Sequence, residues 1–249
     1  MISHKIPCFL MAGLGFFVRL VKEKKWYTQR RVTTEVFLEK YREPLPKPLE
    51  ELERKALSED VPIIRSGTRD MLRFLLRERK PKEVLEIGTA VGFSALCMRE
   101  YLPKSSHITT IEKVEMRLKE ARKNLERLDE DDRITLLEGD AIEVLKELLI
   151  KEKSYDFIFM DAAKGQYLNF LPDVIALMAD DAMLVSDNIF HDGDVLESRY
   201  AVLRRDRTIH GRMREYLQVL CEKEELETIC LPIADGMTIS TKKGNGKGE

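Results

Sequence analysis

Cysteine is scarce in this chain. Of 249 residues four are Cys, at positions 8, 97, 221 and 230. No two form a C-x-x-C pair, and four is too sparse for the disulfide framework of a small secreted domain. The His residues do not stand at zinc spacing beside them either. Buried or idle thiols in a reducing cytoplasm are the expectation. Excess charge is also missing. Lys and Arg total 42 against 44 Asp and Glu, a net charge of −2. That excludes a polycation coating nucleic acid along its whole length, while leaving a local basic face open. The apolar run at 6–18 (IPCFLMAGLGFFV) is shorter than the roughly 20 residues a bilayer span needs. No small-x-small cleavage pattern follows it between Arg19 and Lys22. It reads as an extension packed on the body or on a partner, with no membrane role.

What is present is a folded α/β pattern. Hydrophobic residues make up 43% and charged ones 35%, which fits a globular chain. The length fits one large domain with an appendage. Residues 1–50 form that appendage, an N-terminal extension and helical cap. Helical spacing over 33–41 stops at Pro44, Pro46 and Pro48. A helix over 49–57, an extended stretch over 61–64 and an amphipathic helix over 67–79 follow. Residues 51–243 form the main domain and 244–249 a flexible tail. Strands are predicted at 83–87, 107–111, 134–137, 155–160 and 182–186. Helices are predicted at 92–101, 113–128, 141–151 and 166–178. A basic helical stretch runs to about Cys221, and strands at 227–231 and 237–241 form a terminal hairpin around Ala234-Asp235-Gly236. Such alternation implies an α/β fold, a doubly wound, mostly parallel sheet with helices on both faces.

In such sheets ligands sit beyond the carboxyl ends of the strands. The first strand ends in Glu86-Ile87-Gly88-Thr89-Ala90-Val91-Gly92-Phe93-Ser94. Gly88 permits a sharp turn and close approach of a ligand to the backbone. The G-x-G-x-x-G dinucleotide fingerprint is absent, because positions 90 and 93 are Ala and Phe. An acid at Glu86 suits a cationic or zwitterionic ligand better than a pyrophosphate. Glu112 ends the second strand, where a carboxylate can accept both ribose hydroxyls of an adenosine. Gly139-Asp140-Ala141 ends the third, where a backbone amide and Asp140 can meet an adenine edge. Taken in order, these features favour S-adenosylmethionine over a nicotinamide cofactor.

The fourth and fifth strands end in Asp161-Ala162-Ala163-Lys164 and Asp187-Asn188. Two carboxylates and an amide are hard oxygen donors suited to Mg²⁺. Lys164, three residues after Asp161, can swing back over the same site, as a base or as a stabilising cation.

These motifs resemble the metal-dependent O-methyltransferases that include catechol and caffeoyl-CoA methyltransferases, over about residues 55–243. The resemblance implies a class I methyltransferase fold of seven strands with a reversed last strand. It implies donor contacts at Gly88, Ser94, Glu112 and Ala141, with Thr89 and Asp161 beside them. It also implies Mg²⁺ contacts at Asp161, Asp187 and Asn188, a catalytic role for Asp161, and Lys164 as the base. Closer likeness is to the bacterial tRNA 5-hydroxyuridine methyltransferases. It is carried by Val61-Pro62-Ile63-Ile64, by Asp161 to Tyr167, by Asn169-Phe170, by Phe190 and Gly193, by Glu215-Tyr216 and by Leu231 to Met237. By that likeness Ile64 lines the donor pocket, where the branch often has Met. A homodimer is expected, since family members are commonly dimers. Arg199, Arg204, Arg205, Arg207, Arg212 and Arg214 follow the last metal residue and can grip phosphates, with Tyr200 or Tyr216 stacking on a splayed base. The expected acceptor is therefore 5-hydroxyuridine in a tRNA anticodon loop. A small catechol-like or caffeoyl-CoA-like phenol is the alternative.

Overall fold

The computed structural model describes residues 36–244. The apolar run at 6–18, Cys8 and the tail beyond 244 lie outside them. The chain divides into two units, 1–44 and 45–249. Of the first, a single helical turn over 36–39 is described. The second begins with α1 (Lys47–Ser58), opened by Pro48 in its first turn and buried through Leu49, Leu52 and Ala56. The sequence boundary at residue 50 thus falls inside α1.

After α1 and α2 (Ser66–Arg79), strands and helices alternate: β1 (Glu83–Ile87), α3 (Phe93–Tyr101), β2 (His107–Glu112), α4 (Glu115–Leu128), β3 (Ile134–Glu138), α5 (Ala141–Ile150) and β4 (Tyr155–Met160). Then come α6 (Tyr167–Leu177), β5 (Met178–Asp187), α7 (Arg207–Glu222), β6 (Leu226–Leu231) and β7 (Met237–Lys242). The seven strands lie in the order β3-β2-β1-β4-β5-β7-β6. The five strands β1–β5 are parallel, and β7 runs antiparallel between β5 and β6. This is the doubly wound sheet with a reversed last strand that the sequence implied.

The central strands read as unbroken apolar runs because both faces are covered. The pleat sorts them by period two. Leu85 and Ile87 of β1, with Ile158 and Met160 of β4, pack on α5, α6 and α7 through Leu145, Leu171 and Met213. Val84, Phe157 and Phe159 face the other way, toward α1, α2 and α3 through Leu49, Leu72 and Leu96. Each fully buried Leu or Phe contributes about 2 kcal/mol. Among the described residues no helix is long and apolar enough to cross a membrane.

Two local expectations change. First, β5 starts at Met178 rather than 182. Its pairing with β4 jumps from Tyr155–Met178 to Phe157–Met183, and the bulge carries the exposed Asp180 and Asp181 out of register. Second, the basic stretch after Asn188 holds only a 3₁₀ turn, Asp194–Leu196, before its α-helix begins at Arg207. Asn188, His191 and Asp192 take left-handed φ of 54°, 49° and 55°, which no helix accommodates. Of the thiols, Cys97 is buried as expected, but Cys221 and Cys230 are exposed with sulfurs 4.0 Å apart.

Candidate active site

The carboxyl ends of β1, β2 and β4 meet at Gly88. Its N–H donates to the Ile111 carbonyl at 3.1 Å, and the Asp161 N–H donates to the Ile87 carbonyl at 3.0 Å. A Cβ at Gly88 would overlap the Asp161 carbonyl oxygen and lie 2.8 Å from its carbon, at a φ of +111°. Only glycine allows the two strand ends to come this close. Gly92, also left-handed at φ 83°, opens α3, whose first turn holds the buried Ser94.

Glu112 is buried and fully engaged with backbone. It accepts from the N–H groups of Ala90, Lys113 and Val114, each at 2.9 Å. Its carboxylate thereby ties the turn after β1 to the turn after β2. Any ribose it holds shares oxygens already aimed by these amides. Glu86 is buried and accepts from the Thr110 hydroxyl at 2.5 Å. Thr89 is used internally: its hydroxyl meets that of Thr110 at 2.6 Å and its N–H bonds the Ile111 carbonyl. Asp140 caps α5, accepting from the Ile142 N–H at 3.0 Å, and pairs with Lys113 at 2.9 Å. Its side chain serves its own helix, while Ala141 opens that helix at half burial. Ile64 is buried with Leu72 and Phe159.

Burial pushes the Glu86 carboxyl up to about 7, against the lowering effect of hydrogen bonds from Ser94 and then Thr110. Unfolded, Glu86 ionises near the ordinary glutamate value; folded, it keeps its proton further up the scale. Between those values the native state binds more protons, so stability falls as pH rises through the window. Glu86→Gln removes that fall. Melting scans from pH 5 to pH 8 should show the variant gaining on wild type by the equivalent of about 3 kcal/mol. Parallel Tm curves would mean that Glu86 is ionised throughout.

The second half of the site is a hydrogen-bonded cluster. A 3₁₀ turn over Lys164–Gln166 brings the Lys164 ammonium back onto Asp161 Oδ1 at 2.7 Å and onto the Tyr167 hydroxyl at 2.9 Å. That hydroxyl lies 3.0 Å from the Met160 carbonyl and 3.1 Å from the Asp187 carbonyl, bracing the ends of β4 and β5. Burial works to lower the Lys164 pKa, but Tyr167 and Asp161 outweigh it and hold the ammonium above its usual range. Asp187 is buried. Burial first, and the charge of Asp161 second, push its carboxyl up to about 7. Oδ1 accepts from Thr68 at 3.0 Å, and Oδ2 is buried without a partner. A carboxylate oxygen so placed is costly unless a cation meets it. The residues present therefore fit a hard dication, with Asp161, Asp187 and Asn188 as the donor set. Among the described residues no three His, Cys, Asp or Glu side chains form a competing metal set.

A clamp holds the loop that follows. The Ile189 and Phe190 N–H groups donate to the Gly236 and Asp235 carbonyls at 3.1 and 3.0 Å. The Asp192 N–H donates to Asp235 Oδ2 at 2.7 Å, and Phe190 packs where a Cβ on Gly236 would sit. Arg65 reaches the same loop at Asp192, 2.7 Å away.

A family model for O-methyltransferases matches residues 40–243. The chain belongs to the O-methyltransferase family. The caffeoyl-CoA O-methyltransferase of Medicago sativa is 31% identical over 172 residues, covering 68% of this chain and 70% of its own length. The catechol O-methyltransferase of Niastella koreensis is 31% identical over 127 residues, 51% of this chain and 58% of its own. Among solved structures, the SAH-bound methyltransferase PaMTH1 of Podospora anserina superposes with a TM-score of 0.77 at 26% identity, over 87% of this chain and 96% of that one. This O-methyltransferase is accordingly a transferase that draws its methyl group from S-adenosylmethionine.

Thr68 and Thr110 carry no signal in the sequence of this O-methyltransferase, and Asp235 reads there only as a hairpin turn and part of the family likeness. Each acts across a long separation that no local pattern reveals. Tyr167 carried part of the family likeness, but nothing in the sequence assigned it the Lys164 contact. Tyr216 is also placed differently from expectation. It is fully buried, bonded to Ser186 at 2.6 Å and edge-on to Tyr167 at 5.3 Å, so it stacks on no base. Tyr200 is 89% exposed. Four of the six arginines hold neighbouring protein groups: Arg205 the Asp206 carboxylate, Arg207 the Val202 carbonyl, Arg212 the Asn169 side chain and Arg214 the Val195 carbonyl.

Proposed function

We propose that this enzyme methylates the 5-hydroxyl of 5-hydroxyuridine in the tRNA anticodon loop, giving 5-methoxyuridine. We propose further that it works with Mg²⁺, as a homodimer in the cytoplasm. The reading rests most on the basic segment that follows the site loop, where Arg199, Tyr200, Arg204 and Arg205 are exposed close together in sequence, Arg205 with Asp206 beside it. Exposed arginines beside an exposed aromatic suit a single-stranded RNA loop, with phosphates gripped and one base splayed onto the ring. A 5-hydroxyuracil also carries vicinal oxygens at its 4 and 5 positions, which suits chelation.

In this reading Gly88, Ser94, Glu112 and Ala141 hold the donor, with Ile64, Glu86 and Asp161 around it. Asp161, Asp187 and Asn188 would hold the dication, which when bound lowers the acceptor hydroxyl's pKa and fixes its direction. Lys164, held as an ammonium by Asp161 and Tyr167, stabilises the charge of the acceptor oxygen as a cation, and the hydroxyl's proton leaves to solvent. The acceptor oxygen forms the new bond to the methyl carbon as the sulfur–carbon bond breaks, in line. Keeping both reactants aligned is the protein's main contribution.

The test is methylation of tRNA carrying 5-hydroxyuridine, followed by nucleoside mass spectrometry. Replacing Arg199, Arg204 and Arg205 together by Ala should weaken tRNA binding and flatten its log–log salt dependence by about 2 for three lost phosphate contacts. An identical slope would leave those residues without an RNA role. The second reading, a small phenol with adjacent hydroxyls, is favoured by the names of the Medicago and Niastella relatives. Turnover of free catechols far above that of hydroxylated tRNA would select it.

A further inference from the structure

Thr68 lies in the first turn of α2 and is fully buried. A helical threonine commonly turns its hydroxyl back to the carbonyl four residues earlier. Here the hydroxyl instead bonds Asp187 Oδ1 at 3.0 Å, 119 residues away. The partner oxygen, Oδ2, is buried and has no protein donor. Ile64, on the donor side, sits four residues before Thr68 and packs into the same core as α2.

We infer that Thr68 is a positioning residue for the cation site: by occupying Oδ1 it fixes the Asp187 carboxylate so that Oδ2 alone is presented to the metal. This rests on the proposed dication at Asp161, Asp187 and Asn188. A hydroxyl donating to one oxygen of a ligating carboxylate sets its rotamer and leaves a single direction for coordination. The same bond joins α2 to the end of β5. Thr68 thereby links the segment that lines the donor pocket to the residues that orient the acceptor.

The experiment measures Mn²⁺ binding to the full-length protein by calorimetry and by electron paramagnetic resonance, alongside S-adenosylhomocysteine binding. Thr68→Val keeps the shape and removes the hydroxyl; Thr68→Ser keeps the hydroxyl. Thr68→Val should weaken Mn²⁺ about 10- to 100-fold, and Thr68→Ser should restore affinity to near wild type. S-adenosylhomocysteine should bind both variants as it binds wild type. Equal Mn²⁺ affinity for Thr68→Val and wild type would overturn the inference. So would a Thr68→Ser variant as weak as Thr68→Val, since packing rather than the hydroxyl would then be at work. A wild-type protein that binds no Mn²⁺ overturns the metal reading itself, a result distinct from either of these.

Discussion

Asp161→Ala should cripple methyl transfer and leave the fold standing. The Asp161 backbone still donates to Ile87, so the β1–β4 junction survives, and the side chain is only partly buried. What is lost is one oxygen of the candidate metal set and the 2.7 Å anchor of Lys164. If Asp161 holds the proposed dication, its removal forfeits several kcal/mol of transition-state stabilisation, so kcat should fall by about 10³-fold. The check is single-turnover methylation with and without chelator, together with circular dichroism. Full turnover by the variant in chelator would end the metal mechanism. An unfolded variant would mean that Asp161 is structural first.

Gly88→Ala has the second large effect, and it acts on the scaffold. The new methyl would overlap the Asp161 carbonyl in a φ that L-residues avoid. Both objections are to backbone, which cannot swing aside like a side chain. The junction of β1 and β4 must open, costing about 3 kcal/mol or more. For a domain of this size that is a Tm drop of about 6–12 °C. Donor affinity should fall with it, because the Asp161 and Glu112 loops are both tied to this turn. Calorimetry reads both quantities. A variant with unchanged Tm would show that the strand ends have more freedom than their hydrogen bonds imply.

Which parts of this were legible beforehand follows from the range of each interaction. β1 and β4 match their predicted limits because an apolar run flanked by polar residues or glycine is local information. That Asp161, Lys164 and Asp187 lie together was legible because strand ends converge in any doubly wound sheet. Asp140 shows the limit: an acid at a strand end can serve a ligand or cap its own helix, and the one-dimensional pattern is the same. Arg207 and Arg214 show it again, since charge says nothing of whether a guanidinium meets phosphate or a nearby carbonyl. Thr68 is the extreme case. Its partner is 119 residues away, and a lone threonine in an amphipathic helix carries no signature.

The placement of β7 bears on how the molecule comes into being on the ribosome. β6 is synthesised before β7, yet β7 occupies the slot between β5 and β6. Since β6 pairs with β7 alone, neither strand of the hairpin can join the sheet until residue 242 has left the exit tunnel. The turn that grips the loop after Asn188 belongs to the same late segment, at Asp235 and Gly236. A nascent chain can thus fold its first five strands during translation and still lack the clamp on the loop after Asn188, which forms only with the final hairpin.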